Sequence, residues 1–278
     1  MALPPLRRRR QENMSHFYSR TGQLLAVVPN ASKPGEVRDA TLADARKENL
    51  GPSVTTCLQL LAKPTLADWI AEQHVKAAMT TPMESDEGYD EWLRRVKYKA
   101  GEISRTASDF GTQVHRAFES LTKGADRALA LDVGVAAYQV AHEALKTLTD
   151  AGLDIEQSEL SFGCALGYGG TVDIIGRWLG RPAIMDVKTQ ELETPHDAKY
   201  YPEHALQLAG YAIGIDRRDL DRVSIIVSRS KPGVVDVRNW STYQTKNGNG
   251  WPNERADAAW LALLETWFLM NNWRPQWD

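Results

Sequence analysis

Residues 169–189 read GGTVDIIGRWLGRPAIMDVKT. Two β-branched apolar runs, 171–175 and 183–187, flank the turn signal Leu179-Gly180-Arg181-Pro182, which is the pattern of a β-hairpin. Each run carries one aspartate where a strand core favours an apolar residue: Asp173 and Asp186. Strand side chains alternate faces, so Asp186 and Lys188 point one way while Met185 and Val187 point the other. Pairing around the turn brings Asp173 toward Asp186, and two carboxylates and an ammonium then converge on one sheet face. Buried carboxylates need compensation, which a divalent cation, the lysine or both can supply. A hard cation such as Mg²⁺ binds through one or two carboxylates plus substrate phosphates. A lysine two residues beyond a metal-binding aspartate can act on a water or on phosphate charge. That is the outfit of a metal-dependent phosphodiesterase. D-x-K alone more often marks a surface hairpin with one Asp–Lys pair, so the rest of the chain has to choose.

A chain of 278 residues holds one large domain or two small ones. Its apolar content of 42% and charged content of 25% are those of an ordinary globular protein. No apolar run approaches the roughly 20 residues that span a bilayer. The N-terminal MALPPLRRRRQEN has basic residues but no apolar segment behind them, so it does not read as a secretory signal. Two distant cysteines, Cys57 and Cys164, form no CxxC. A zinc or iron–sulfur site built on several cysteines is excluded, and reduced thiols in a cytosol are expected. A net charge of −3 neither advertises nor forbids a nucleic-acid partner, because recognition depends on how charge is distributed.

Outward from the hairpin, residues 155–166 read as a strand with Glu159 inside it. Residues 204–215 read as a helix with Gln207 and Tyr211 one turn apart, and 223–228 and 234–240 read as strands. Asn247-Gly248-Asn249-Gly250 marks a turn, and 253–270 a closing amphipathic helix. Upstream, residues 1–50 read as a partly flexible arm with a basic run at Arg7–Arg10. Residues 51–278 read as a single domain. Ser53 or Thr55 caps a helix that Pro64 interrupts, and a second helix starts near Thr65. Residues 91–99 form a helix carrying Arg94, Arg95, Lys97 and Lys99, either a solvated face or a DNA-backbone contact. In 106–122, capped at Ser108 or Asp109, His115 and Glu119 share one helix face. One His and one Glu fall short of the three or four ligands of a zinc site. Residues 126–150 are an amphipathic scaffold helix. The order predicts an α/β fold, a central mixed β-sheet flanked by helices.

In sequence order, His115, Glu159, Gly170-Thr171-Val172-Asp173, Asp186-Val187-Lys188-Thr189 and Gln207-x-x-x-Tyr211 resemble the RecB-like branch of the PD-(D/E)xK nuclease superfamily. Pro52-Ser53-Val54-Thr55-Thr56 and Gly111-Thr112-Gln113-Val114-His115 are further similar to phage exonucleases and mitochondrial genome-maintenance exonucleases. The resemblance runs from about residue 51 to 226 and implies a PD-(D/E)xK nuclease-like core. It implies that His115, Asp173, Asp186 and the Val187 carbonyl bind Mg²⁺ or Mn²⁺. Lys188 would position or activate water, and Glu159 would support the site. Gln207 and Tyr211 would hold the DNA strand, and Thr189 would steady the lysine strand or touch phosphate. The name-giving proline is Val172 here, and the four cysteines of the iron–sulfur relatives are absent, so no cluster is expected.

The expected activity is a metal-dependent DNA exonuclease of phage recombination or DNA processing in the cytoplasm of a bacterial host. Its partners would be DNA and a phage single-strand annealing or binding protein, with no membrane. An endonuclease on the same core and a catalytically silent DNA-binding module are the rivals. A dinucleotide site at Gly167-Tyr168-Gly169-Gly170 is disfavoured, because these glycines precede a strand and do not link a strand to a helix. Cleavage polarity, strandedness and oligomeric state are not written in the sequence.

Overall fold

The computed structural model describes residues 16–124, 133–243 and 250–277. Packed structure begins well inside the expected arm. β1 (Phe17–Tyr18), β2 (Leu24–Leu25), the β3–β4 pair (Val27–Pro29 and Val37–Asp39) and β5 (Gly51–Pro52) come first, and β1 pairs antiparallel with β2 and with β5. Phe17 is buried in the main core, and removing its ring from water is what holds this segment down. Phe17 and Tyr18 are thus packed within the stretch read as a partly flexible arm, and Arg7–Arg10 lie outside the described residues.

α1 (Leu42–Lys47) precedes α2 (Val54–Leu58), which starts where expected: Ser53 Oγ accepts the Thr56 N–H at 2.9 Å. α3 (Pro64–Met79) opens on Pro64, a position where the missing N–H costs nothing. The two helices expected over 91–99 and 106–122 are one, α4 (Tyr89–Thr122), 34 residues long. No proline interrupts it, and Ser108 and Asp109, the alternative caps the sequence offers, lie within it. Such residues favour caps without forbidding helix interiors. α5 (Val135–Asp150) follows Gly134, whose φ of 90° starts it cleanly; residues 126–132 of the longer helix expected here lie outside the described residues.

β6 (Leu153–Cys164), β7 (Tyr168–Trp178) and β8 (Arg181–Gln190) form an antiparallel meander. The hairpin turn is Leu179-Gly180, both with positive φ, as a two-residue turn of this twist demands. Pro182 lies within β8. α6 (Pro202–Gly214) then crosses over to β9 (Asp221–Ser228), which runs parallel to β8, and β10 (Val235–Asn239) pairs antiparallel with β9. The sheet order is β10-β9-β8-β7-β6, a mixed sheet as expected. The turn expected at 247–250 falls largely outside the described residues, and α7 (Asn253–Asn271) closes the chain.

Each face of the sheet has its own core. Met185, Val187, Val223 and Ile225 pack with Val114, Ala117 and Phe118 of α4 and with α5. On the other face Ile184 packs with α6, α7 and α2. The predicted alternation of β8 thus holds: Val187 faces α4, and Asp186 faces α6. Both cysteines are buried and unpaired. No helix among the described residues is long and apolar enough to cross a membrane.

Candidate functional site

The β7–β8 ladder runs from Trp178↔Arg181 to Ile174↔Met185. Past that point the Val187 N–H donates to the Asp173 carboxylate, Oδ2 at 2.8 Å, where a ladder would have offered a carbonyl. The other neighbour is irregular at the same level. Ser158 pairs with Ile174 and Leu160 with Val172, while Glu159 between them has a φ of +54°. A left-handed non-glycine residue costs about 1–2 kcal/mol. Val172 packs into the α6–α7 core and Ile174 into the α4–α5 core, so strand alternation breaks at Asp173. The hairpin splays there, with Asp173 in the opening.

Asp186 lies deeper. Its side chain is 1% exposed, with Lys188 Nζ 2.8 Å from Oδ1 and 2.7 Å from Oδ2. The Gln207 amide nitrogen donates to Asp186 Oδ1 and to the Tyr211 hydroxyl, both at 2.8 Å. Oδ2 receives no properly directed hydrogen bond; the ammonium near it attracts by charge alone. Burial raises the Asp186 pKa; Lys188 opposes this and Asp173 adds to it. Burial pulls Lys188 down, but Asp186 and Asp173 outweigh it and leave its pKa above the ordinary lysine value. Lys188 is therefore a cation at neutral pH.

α4 brings His115 over the opening, with Nδ1 3.8 Å from Asp173 Oδ2. His115, Glu119, Thr122, Glu159, Asp173 and Val187 line one small pocket. Glu119 is paired with Lys123 at 2.6 Å, and Thr122 Oγ1 donates to Ser158 Oγ at 3.0 Å, which pins α4 beside Glu159. Burial first, then Asp173 and Glu119, push the Glu159 pKa up to about 7. Gly111 allows the close approach of α4: a Cβ there would stand 2.9 Å from Thr189 Oγ1. Thr189 thus faces α4, on the opposite side of β8 from Lys188, a place that suits steadying the strand.

Gln207 and Tyr211, expected to hold a DNA strand, are both buried, and the Gln207 amide nitrogen is committed inward. In this arrangement Gln207 bonds Asp186, and the Tyr211 hydroxyl accepts from the same Gln207 amide. Gly170 makes room for this, since a Cβ on it would lie 3.0 Å from the Tyr211 ring. His204, three residues before Gln207, is a residue the sequence reading missed. It is buried and borders the Lys188 side of the site, with burial and then Lys188 lowering its pKa to about 4. The spacing 204, 207, 211 places all three on one helix face, and that was the available signal.

Among the described residues no three His, Cys, Asp or Glu side chains cluster closely enough to cage a metal. A closed zinc site does not fit. A hard cation that takes one or two carboxylates and completes its shell with water and phosphate does fit. Asp173 and the otherwise unsatisfied Asp186 Oδ2 are the donors that suit it, with His115 near Asp173 and the Val187 backbone held against it.

No protein-family model matches this chain, and no curated protein matches it. Solved structures do match. One is the crystal structure of SSO0001, 12% identical over 76% of this chain and 89% of that one, with a TM-score of 0.29. At that TM-score the likeness carries no argument.

Proposed function

We propose that the chain is a Mg²⁺- or Mn²⁺-dependent DNA exonuclease with a PD-(D/E)xK-type site, serving phage recombination or DNA processing in a bacterial host cytoplasm. The observation that carries the reading is the pair of neighbouring strands at the splayed end of the β7–β8 hairpin, where Asp173 takes the Val187 N–H and lies near His115, and Asp186 is bonded by Lys188 and Gln207 close enough to feel the Asp173 charge. Asp173 and Asp186 Oδ2 would hold the cation with water and substrate phosphate completing its shell, and His115 and the Val187 carbonyl, the further ligands the resemblance implies, would stand beside Asp173. When bound, the cation supplies Lewis-acid polarisation of phosphate and acidification of water.

The chain's own groups do the rest. Lys188 keeps its proton, so it serves as a fixed positive charge against the phosphate oxygens as negative charge builds on them. Gln207 and Tyr211 fix the Asp186 rotamer. Glu159, with its pKa near 7, can exchange a proton with pocket water at neutral pH. DNA is the partner in this reading, and a phage single-strand annealing or binding protein would work on the product.

The test is incubation with end-labelled linear DNA and with circular DNA, in Mg²⁺, Mn²⁺ and EDTA. Loss of label from linear ends, intact circles and full inhibition by EDTA are expected. Cut circles would make the enzyme an endonuclease. DNA binding with no cutting in either metal would make the chain a silent binding module.

A further inference from the structure

On the Lys188 face of the site a groove of about 510 Å³ opens between α3 and the start of α6, within the size range of ligand pockets. Lys63 and Trp69 border it on one side and Lys199, Tyr201 and His204 on the other; Lys188 lies in its floor beside Gln207. Lys63 and Lys199 are exposed, and no carboxylate pairs with either among the described residues. Glu203 is the groove's one carboxylate, against these two free ammoniums. Trp69 and Tyr201 are half-buried rings, and Tyr201 meets the His204 imidazole edge-on at 5.5 Å. His204 is 7% exposed, and its buried Nδ1 has no hydrogen-bond partner. An orphan of that kind costs about 1–3 kcal/mol unless something supplies the missing bond.

We propose that this groove receives the single-stranded end of a DNA chain and delivers it to Lys188. Rings interleaved with free cations suit a single strand, whose bases expose their faces for stacking, and suit duplex poorly, because its bases are already stacked. Trp69 and Tyr201 take the bases, and Lys63 and Lys199 take the phosphates. The inference rests on the nuclease reading for the bond that is cut, while binding in the groove can be measured without cleavage.

The experiment uses the full chain in EDTA with a fluorescein-labelled oligonucleotide, single-stranded and as a blunt duplex, read by anisotropy across a salt series. The single strand should bind about tenfold tighter or more, as loss of stacking at even one or two bases would produce. Trp69→Ala should weaken single-strand binding about 5- to 150-fold, and Trp69→Phe should keep most of it. The double variant Lys63→Ala/Lys199→Ala should lower the slope of log affinity against log salt by about 1.4, two lost phosphate contacts on a single strand. An oligonucleotide carrying 5-iododeoxyuridine should crosslink to Trp69 or Tyr201 in the unaltered protein, a readout that needs no variant to fold. Equal affinity for duplex, or crosslinks confined to other surfaces, would overturn the groove assignment even if Mg²⁺-dependent cleavage is found. Ring-dependent single-strand binding without cleavage in Mg²⁺ or Mn²⁺ would instead uphold the groove and sink the nuclease reading.

Discussion

Lys188→Met removes the ammonium from Asp186 and keeps most of the aliphatic stem. Taking away one partner of a buried ion pair costs about 3–5 kcal/mol. The Lys188 side chain is 32% exposed, so water already screens the pair and the cost falls to about 2–3 kcal/mol. Gln207 still donates to Asp186 Oδ1, which keeps the loss from being larger. The orphaned carboxylate also has an exit, which is to take up a proton. Neutralising a carboxyl of unfolded pKa about 3.9 costs about 1.4 kcal/mol per pH unit above that value. The penalty therefore cannot exceed about 1.5 kcal/mol at pH 5, whereas at pH 8 the ceiling is about 5.6 kcal/mol and does not bind. Loss of Lys188 raises the folded-state pKa of Asp186 further above its unfolded value. The variant's stability then falls as pH rises through that folded pKa. Thermal melts in EDTA at pH 5 and pH 8 read this directly: the deficit at pH 8 should be about 4–6 °C, and clearly smaller at pH 5. Adding Asp186→Asn to Lys188→Met should restore about 1–2 kcal/mol at pH 8, because no buried charge remains. A deficit equal at both pH values, or a double variant no more stable than the single one, would refute the reasoning.

Four further outcomes follow from the same geometry. Asp186→Asn should lose cleavage that added Mn²⁺ partly rescues, whereas Lys188→Ala should keep metal and DNA binding yet stay about 10²–10³ slower at saturating metal; parental turnover by Lys188→Ala would remove the hairpin from the chemistry. Tyr211→Phe deletes one buried hydrogen bond and should cost about 1 kcal/mol with near-normal turnover, since the hydroxyl acts through Gln207; a loss of activity much larger than the loss of stability would give that hydroxyl a direct part. Gly170→Ala presses a methyl against Tyr211 and Phe162 and should destabilise by about 1–3 kcal/mol in a denaturant melt; an unchanged midpoint would mean the rings can move aside. Glu159 has its folded pKa raised to about 7, so the parent should lose stability as pH rises from about 4.3 through 7. Glu159→Gly should flatten that dependence and stabilise the chain by relieving the positive φ, with cleavage reduced; an unchanged pH–stability curve would contradict the assigned pKa.

The pattern of residue types determined a good deal without any coordinates. Period-2 alternation in 183–188 sent Val187 to one face and Asp186 with Lys188 to the other, because a strand leaves no other choice once Met185 and Val187 must be buried. The turn signal Leu179-Gly180-Arg181-Pro182 located the hairpin, although Arg181 and Pro182 belong to β8 and the turn itself is Leu179-Gly180, and the 3.6-residue period placed Gln207 and Tyr211 together. Local rules failed where long-range packing took over. Phe17 looked like part of an arm because only contact with the folded core covers its ring. Ser108 and Asp109 looked like caps because nothing local reveals that one helix continues through them. The splay at Asp173 needed the left-handed turn at Glu159 and the loss of a ladder bond to Val187, neither of which leaves a mark in composition. His115 reached Asp173 only because Gly111 lets α4 lie close on β8. The groove beside Lys188 joins Lys63 and Trp69 to Lys199 and Tyr201 across more than a hundred residues of chain. Which charges and rings share one space is settled by how helices pack on a sheet, a matter of shape that sequence spacing does not encode.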